Sequence, residues 1–327
     1  MNEHRDSTDV AREKVLCNAL QLIVYTPPST SNGTTSASEA RVGEATDAPP
    51  SRVMDSDPDV MGLEAAKSGD LDILRALVRG KAGDIVSGQG GRVVLRKPWT
   101  PNEVYDRERH TPLTWAAGNG HLDVCKFLVD ECDMNPSLLT GLRKKRRCSL
   151  HWAARNGHVH ICQWLVMEKG VSVDVCTEND TTPLHLAIWT RKLETVQWLV
   201  EEGKCDVNKQ NAHGCSAAHW AAFSGDVSVL RYLQSAGLDL YLINGNRRSA
   251  LHKAAVKGHA EACRWLISPV HEGGGGLDES HMGPEKEGDH PWQLAASCGD
   301  VQLEAFLLEE YHRRTRQSTI ASYPTDI

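Results

Sequence analysis

Histidine is the residue type in this sequence that most strongly suggests chemistry. The chain contains 15 histidines, and imidazole nitrogens bind zinc and transfer protons near neutral pH. A zinc protease helix would carry the pattern HExxH, and a structural zinc site would group cysteines and histidines at short spacings. The sequence contains neither pattern. Since buried polar groups are usually hydrogen-bonded within the protein, we interpret the histidines as structural and predict no metal, no cofactor and no catalytic residue.

Glycine-rich segments that could bind phosphates are also incomplete. Gly80-Lys81-Ala82 lacks the upstream glycine and the Ser or Thr of a P-loop. Residues 88–91 (GQGG) lack the preceding strand and following helix of a dinucleotide site. There is no GxSxG elbow and no kinase signature. We therefore predict a protein without a small-molecule substrate.

Five consecutive cations form the sharpest local charge feature of the chain: Arg143, Lys144, Lys145, Arg146 and Arg147. Such a run is typical of a nuclear import signal or an anion-binding loop. The alternative is a solvated loop that its own repulsion extends. The C-terminal Thr325-Asp326-Ile327 resembles a PDZ ligand, although coincidence is the favoured interpretation of so short a motif.

Composition limits the class of protein. The net charge is −7 with 24% charged residues, which argues against a nucleic-acid binder that works through global charge. No apolar run has the length of a membrane span, and the N-terminus does not resemble a signal peptide. Ten cysteines occur without a CxxC pair, as expected for thiols in a reducing compartment. We expect an intracellular protein, cytoplasmic or nuclear or both.

The elements that position these residues follow from a repeated hexapeptide. Its copies begin at Thr111, Cys148, Thr182, Ser216, Ser249 and His290, so their separations are 37, 34, 34, 33 and 41 residues. A second motif keeps the same register, because an aromatic residue follows sixteen positions after each start: Phe127, Trp164, Trp198, Tyr232, Trp265 and Phe306. Together the motifs resemble the ankyrin repeat. This resemblance implies an all-α repeat solenoid of helix–turn–helix units joined by hairpin loops.

Domain boundaries follow from this register. We predict a disordered arm over 1–57, with a short helix over 8–24 that either docks or frays, an ankyrin domain over 58–310 and a disordered tail over 311–327. An irregular stretch begins at Gly80, and residues 269–288 form a flexible insertion. The repeats are predicted near 59–79 (a capping unit), 109–142, 146–179, 180–213, 214–246, 247–268 and 289–310.

Local residue chemistry predicts where the helices begin and end. Thr or Ser hydroxyls cap the first helix of a repeat, as at Thr111 and Thr182, and glycine ends it in a left-handed conformation. Arg191 stands where glycine is expected, so either that turn is rebuilt or its neighbours absorb the strain. The ankyrin resemblance further implies hydrogen-bonding roles for two histidine columns: His151, His185, His219 and His252, and His121, His158 and His259.

The resemblance also indicates a partner-facing surface made by the inner helices and the hairpin tips. The predicted contacts on the helices are Arg155, Asn156, Trp189, Thr190, Phe223, Ser224 and Lys257. The predicted contacts at the tips are Lys145, Arg147, Glu178, Asn179, His213, Arg247 and Arg248. We expect Trp189 and Phe223 to lie side by side and exposed, as interface aromatics do. The alternative is that they fold over the rim or that the turn at Arg191 buries Trp189.

The predicted function is that of a non-catalytic scaffold or adaptor that binds a protein partner of unknown identity. Two alternatives remain open: a regulatory or targeting subunit of an enzyme complex, or a nuclear protein that contacts anions or nucleic acid through residues 143–147. An enzyme with unrecognised motifs would need another domain, and the 80–105 segment is too short to form one.

Overall fold

The computed structural model describes residues 57–80, 85–88, 91–94, 97–142 and 146–321. Several predictions fall outside these ranges and are not tested by the structure. They concern residues 1–56 of the predicted arm with its helix over 8–24, the cations Arg143, Lys144 and Lys145, and the C-terminal Thr325-Asp326-Ile327.

Fourteen α-helices in the described residues form seven consecutive pairs. The first pair is α1 (Pro58–Ser68) and α2 (Leu71–Arg79). The repeats supply α3 (Pro112–Asn119), α4 (Leu122–Lys126), α5 (Ser149–Asn156), α6 (Val159–Gln163), α7 (Pro183–Trp189), α8 (Leu193–Glu201), α9 (Ala217–Ser224), α10 (Val227–Ser235), α11 (Ala250–Ala255), α12 (Ala260–Ile267), α13 (Pro291–Ser297) and α14 (Val301–Ala321). The prediction of an all-α repeat solenoid is confirmed.

Short irregular elements complete the described backbone. One π-helical segment continues α4 over Phe127–Glu131, and another continues α6 over Trp164–Glu168. Strands β1 (Ile85–Gly88) and β2 (Gly91–Val94) pair antiparallel, with Ile85 opposite Val94, in the segment predicted to be irregular. The first helix of each pair packs on the first helix of the next pair, in the order α1, α3, α5, α7, α9, α11 and α13.

Small buried residues allow this close stacking. The alanine pairs at 116–117, 153–154, 221–222 and 254–255 are completely buried. In the second helices, Cys125, Cys162 and Cys263 are also buried and free, and they pack as small apolar side chains. Burial raises the pKa of the Cys162 thiol to about 12, so this thiol stays protonated and inert at neutral pH.

Each repeat begins with a reciprocal hydrogen-bond pair at the start of its first helix. In the first repeat the Thr111 hydroxyl accepts from the Thr114 N–H at 3.2 Å, and Thr114 Oγ1 accepts from the Thr111 N–H at 2.9 Å. Histidine takes the place of Thr114 in the next four repeats. Its Nδ1 accepts the backbone N–H of the capping residue, at 3.1 Å for His185 and 3.2 Å for His219.

The two histidine columns also connect neighbouring repeats. Since Nδ1 accepts a backbone N–H, Nε2 carries the proton, and it donates forward from His151 to the Thr181 carbonyl at 3.1 Å and from His219 to the Arg248 carbonyl at 2.8 Å. His252 donates likewise to the Gly283 carbonyl at 3.0 Å, whereas Nε2 of His185 has no hydrogen-bond partner among the described residues. The second column bonds backward, as from His259 to the Phe223 carbonyl at 3.0 Å. Burial lowers the pKa of His151 to about 4, so this imidazole is neutral at pH 7.

The third repeat keeps its turn although it lacks the glycine. Arg191 adopts φ 57°, as Gly157 and Gly225 do in the neighbouring repeats at 91° and 73°. Its guanidinium donates to the carbonyl of Ser224 in the next repeat. A left-handed non-glycine residue costs on the order of 1 kcal/mol, and a hydrogen bond to a charged group contributes about 1.5–3 kcal/mol. Of the two predicted outcomes, the neighbouring repeat absorbs the strain.

The predicted flexible insertion over 269–288 is wrong, because this segment packs against the repeats. Leu277 and Met282 are completely buried in it, and Glu285 is only 2% exposed. Two 3₁₀ turns, Val270–Glu272 and Glu279–Met282, shape the backbone. The glycine run that suggested flexibility instead permits close approach: a Cβ on Gly275 would lie 2.8 Å from the Leu266 carbonyl oxygen.

The predicted disordered tail over 311–327 is also wrong as far as residue 321, where α14 ends. Arg314 fixes this helix, because its guanidinium donates to the carbonyls of Leu277 at 2.6 Å and Ile267 at 2.5 Å. Tyr311 packs its ring 4.6 Å from that of Trp292. The composition of the tail is polar, but Arg314 and Tyr311 find partners on α12, the insertion and α13.

Candidate functional site

The candidate site is the surface formed by the first helices of the repeats. We define the inner face as the fifth, eighth and ninth residues of each of the first five repeats, counted from the capping residue. Residues three or four apart share one side of a helix, so these positions face the same way. Aromatic residues occupy the fifth position in three repeats, at Trp115, Trp152 and Trp220, and all three are half-buried. Sequence reasoning did not select these tryptophans, although the hexapeptide already contained them.

Trp189, Trp220 and Phe223 form a packed aromatic cluster on α7 and α9. Trp189 and Phe223 stack with their ring centroids 5.2 Å apart and their planes 17° apart. Trp220 meets Trp189 edge-on at 5.5 Å, and Lys257 places Nζ 4.6 Å from the centre of the Phe223 ring. The expected side-by-side arrangement is therefore present, but Trp189 and Phe223 are half-buried rather than exposed. The two rings cover part of each other's surface, which accounts for the lower exposure.

Three other predicted inner-face residues use their side chains within the stack. Asn156 Nδ2 donates to the Gly118 carbonyl at 2.5 Å, and Thr190 Oγ1 donates to the Leu186 carbonyl at 3.0 Å. Ser224 is 7% exposed, and its hydroxyl donates to the Ala221 carbonyl at 2.9 Å. Asn156 and Thr190, which also donates to the Arg155 carbonyl, connect to the preceding repeat, whereas Ser224 bonds within its own helix. The surface available to a partner is therefore narrower than predicted.

The hairpin tips divide into exposed and buried residues. His213 and Arg247 are exposed. Glu178 is exposed and pairs with Arg146 at 3.1 Å, and the Asn179 carbonyl accepts the Ala212 N–H at 3.0 Å. The expectation that Arg248 is a tip contact is wrong. Its side chain is 6% exposed and its Nε donates to Glu285 Oε2 at 3.2 Å, because the insertion covers this tip.

Arg146 and Arg147, the two residues of the basic run that the structure describes, have different surroundings. Arg146 is exposed and ion-paired. Arg147 instead pairs its backbone with Thr140, with N–H to O distances of 2.7 Å and 2.9 Å. Its guanidinium turns onto Trp152, with Cζ 5.2 Å from the ring centre. Burial, reinforced by the charge of Arg155, lowers the pKa of Arg147 to about 10. Arg147 is therefore not part of a uniformly solvated cationic loop.

We call Arg147, Trp152, Arg155 and His110 the Trp152 cluster. Arg155 Cζ lies 5.4 Å from the Trp152 ring centre, and the His110 ring meets Trp152 edge-on at 5.2 Å. His110 itself contacts Asp106, with Nδ1 to Oδ2 at 3.3 Å. Arginines within about 6 Å of an indole face are attracted by its quadrupole. Trp152 therefore holds two like-charged side chains close together.

Charge on the inner face has the opposite sign to that of the whole chain. Every charged residue at the defined positions is a cation, namely Arg155, Lys253 and Lys257, whereas the chain as a whole carries −7. Aromatic rings and arginines are typical of the central residues of protein interfaces. The inner face can thus bury apolar side chains of a partner and attract acidic ones.

Groups that could support catalysis or metal binding do not converge in the described part of the chain. There, no three His, Cys, Asp or Glu residues lie close enough together to hold a metal ion. A cleft of about 340 Å³ lies beside Asp278 and Arg313. The Asp278 carboxylate accepts the Ser280 N–H at 3.0 Å and thereby caps a 3₁₀ turn.

Known protein families bear directly on this architecture. A family model for ankyrin repeats matches three overlapping segments, residues 63–177, 150–244 and 218–317. These segments cover more than half of the chain. The chain belongs to the ankyrin-repeat family. Ankyrin repeats generally mediate protein–protein interaction, and members of the family are typically non-catalytic.

Individual ankyrin relatives share the repeats but are longer proteins. Protein fem-1 homolog A-like from Mus musculus is 31% identical over 204 residues, which are 61% of this chain and 30% of that protein. Nuclear factor NF-kappa-B p105 subunit from Gallus gallus is 33% identical over 39% of this chain and 13% of its own length. Tyrosine-protein kinase Shark from Drosophila melanogaster is 31% identical over 41% of this chain and 14% of its own length. The ankyrin chain thus spans less than a third of each of these relatives.

Among the helices that the structure describes, none combines the length and the apolar composition that crossing a bilayer requires.

Proposed function

We propose that this chain is a non-catalytic interaction scaffold that binds a protein partner through its inner face. The observation that carries the proposal is the cluster of Trp189, Trp220 and Phe223 with Lys257 at its edge. Stacked aromatic rings offer a large apolar surface at a small cost in side-chain entropy, because they are already ordered before binding. Membership of the ankyrin family supports the same mode of action.

The enzyme-related alternative gains no specific support from the relatives. Shark is named as a tyrosine-protein kinase, but its match to this chain covers 14% of its length. A role as a regulatory or targeting subunit of an enzyme complex would use the same inner face. It therefore differs from the proposed scaffold only in the identity of the partner.

An anion or nucleic-acid contact through residues 143–147 is the weaker candidate. Arg146 is paired with Glu178 and Arg147 is turned onto Trp152, which removes two of the five cations from a free run. A nuclear import role stays a prediction, as does an intracellular location. Replacing Lys144, Lys145 and Arg146 with Ala in a tagged full-length chain tests import, and an unchanged nuclear fraction would reject it.

The scaffold proposal is tested by comparing two double variants of the full-length chain in a quantitative pull-down. Trp189→Ala/Phe223→Ala removes the stacked pair of the inner face. The matched control Met167→Ala/Val301→Ala removes two apolar side chains that are 58% and 71% exposed on second helices. We expect the same interactors to be lost with the first variant and kept with the control.

A charge-reversal variant distinguishes a loss of binding from a loss of the fold. Lys257→Glu leaves the aromatic pair in place and adds a negative charge at its edge, so it should weaken binding of the same interactors without changing the thermal midpoint Tm. If both inner-face variants retain all interactors of the wild type, the inner face is not the binding surface.

A further inference from the structure

Arg147 and Arg248 occupy the same position in two repeats. Each directly precedes the capping residue of its repeat, Cys148 and Ser249 respectively. Each also lies beside the histidine of the capping pair: after burial, the charge of Arg147 helps lower the pKa of His151, and that of Arg248 helps lower the pKa of His252. The two arginines therefore occupy equivalent positions, each beside the buried capping histidine of its repeat.

Arg248 has an acidic partner that the neighbouring hairpin supplies. Glu285 Oε2 accepts from Arg248 Nε at 3.2 Å, and the two side chains are 1% and 6% exposed. Glu287 places a second carboxylate oxygen 3.8 Å from the same guanidinium. A buried arginine at this position of the repeat is thus compensated by a carboxylate lying across it.

Among the described residues, Arg147 has no equivalent carboxylate beside it. Thr177 takes the place of Glu285 here: each donates its backbone N–H to the carbonyl four residues further on, Thr177 to Thr181 at 3.1 Å and Glu285 to Asp289 at 2.9 Å. Among the described residues, the buried Nε of Arg147 has no hydrogen-bond partner. Arg155 adds a second cation on the Trp152 ring.

We propose that Arg147 and Arg155, held on Trp152, form an oxyanion site that accepts an acidic side chain from a segment of the partner protein. Arginine presents a planar fork of donors that matches a carboxylate, and Glu285 already provides that group in the fifth repeat. The cationic inner face continues the attraction along the bound segment through Lys253 and Lys257. This inference rests on the proposed function and names the chemistry of one part of the partner.

The first test supplies the missing carboxylate from within the chain. Thr177→Glu reproduces the Glu285 position and should raise Tm by about 2–4 °C, because it places a carboxylate beside a half-buried cation whose Nε is buried and unpartnered among the described residues. The matched variant Thr177→Gln should not raise it. The gain should disappear in the Arg147→Met background, which isolates the pairing as a double-mutant cycle does. A gain of the same size with Gln, or one that survives Arg147→Met, would overturn the inference.

The second test measures binding of a fluorescein-labelled octaglutamate peptide to the full chain by anisotropy. Arg147→Met and Arg155→Gln should each raise Kd by about tenfold or more, because charge-assisted hydrogen bonds are lost. Arg264→Met is the matched control: Arg264 is exposed and stacks on Phe306 at 5.1 Å on the second helices. Its loss should change Kd by less than about twofold. Thr177→Glu should block the peptide as the arginine variants do.

Two further probes identify the source of the oxyanion. An octapeptide of the same length with phosphoserine in place of glutamate reports on phosphate. If it binds better through the same two arginines, the site stands and phosphate is its preferred group. If single-stranded oligo-dT binds through these arginines and octaglutamate does not, the ligand is a nucleic acid and the inference fails.

The thermal midpoint separates a binding role of Arg147 from a structural one. A structural arginine destabilises the fold when it is removed, whereas Arg147→Met should leave Tm unchanged or raise it while it weakens peptide binding. A fall in Tm of more than about 4 °C together with unchanged peptide affinity would overturn the inference. The proposed function would still stand if Trp189→Ala/Phe223→Ala lost its interactors.

Discussion

The second and fifth repeats place an arginine at the same point of the same turn, yet the two surroundings differ. Arg248 is covered by the insertion and shares its charge with Glu285 and Glu287. Arg147 lies on Trp152 beside another cation. In the fifth repeat the chain supplies its own acid and closes the tip, whereas in the second repeat the equivalent residue is Thr177. The comparison shows that an arginine at this position of the repeat has an internal ion pair when the next hairpin supplies a carboxylate, as Glu285 does. With Thr177 at the equivalent position, the arginine is left for the partner that we propose.

The largest expected effect comes from removing Glu285, the acidic partner of Arg248. Glu285→Ala leaves Arg248 buried with its main partner removed, which should lower the free energy of unfolding by about 3–5 kcal/mol. Urea denaturation measures it. Glu287→Ala is the control, because Glu287 is 65% exposed and 3.8 Å away, and it should cost less than about 1 kcal/mol. Equal effects of the two variants would remove the contrast between the tips.

Acid should lower the stability of the fold through two buried histidines, His151 beside Arg147 and His252 beside Arg248. Burial lowers the pKa of His151 to about 4 and that of His252 to about 3, below the unfolded value of about 6.5. The unfolded chain therefore binds more protons between these values, and stability falls as pH drops below 6.5. Between pH 7 and pH 5, each histidine should account for a loss of about 2 kcal/mol.

Single glutamine variants isolate these two contributions. His151→Gln and His252→Gln keep an acceptor in the capping pair but cannot titrate. Each should flatten the decline in unfolding free energy between pH 7 and pH 5 by about 2 kcal/mol, measured by urea titrations at both pH values. A decline as steep as that of the wild type would show that these histidines do not control acid stability.

Removing each arginine in turn sharpens the comparison further. Arg248→Met should destabilise the fold, because it leaves Glu285 buried without its cation. Arg147→Met removes a desolvated cation beside which the described part of the chain places no acid, so it should stabilise the fold by about 1 kcal/mol or leave it unchanged. Equilibrium unfolding in urea gives both values, and effects of the same sign and size would contradict the distinction.

The smallest effect is expected one residue away from Arg147. Arg146 and Glu178 form an ion pair in which the side chains are 46% and 38% exposed. Arg146→Ala should change the unfolding free energy by less than about 0.5 kcal/mol, which thermal denaturation at low and high salt can bound. A loss above 1 kcal/mol would mean that this exposed pair holds the hairpin.

Much of the fold could be predicted because its signals are local. The capping residues, the glycine turns and the hexapeptide register lie within a few residues of the structures they specify. Trp189 and Phe223 were also placed side by side correctly from the register alone, since equivalent positions of adjacent repeats are neighbours. Their partial burial was left open as an alternative, because it depends on how Trp220 and Lys257 fill the space around the rings.

The predictions that failed depended on contacts distant in sequence. The polar tail was predicted to be disordered, but Arg314 reaches carbonyls at Leu277 and Ile267. The insertion over 269–288 was predicted to be flexible, but its own residues Leu277 and Met282 are completely buried. Composition describes a segment in isolation and therefore does not reveal what other parts of the chain offer it.

The sequence by itself determined the repeat unit, its register and the family, because period and capping chemistry are properties of neighbouring residues. Residue type alone does not distinguish Arg146, Arg147, Arg247 and Arg248. Only the tertiary structure decided that Arg247 is exposed, that Arg146 pairs with Glu178 and that Arg248 is buried against Glu285. It also left Arg147 half-buried, with no acid beside it among the described residues. The physical reason is that the energy of a charge depends on its burial and on its partner, and for Arg248 that partner is 37 residues away.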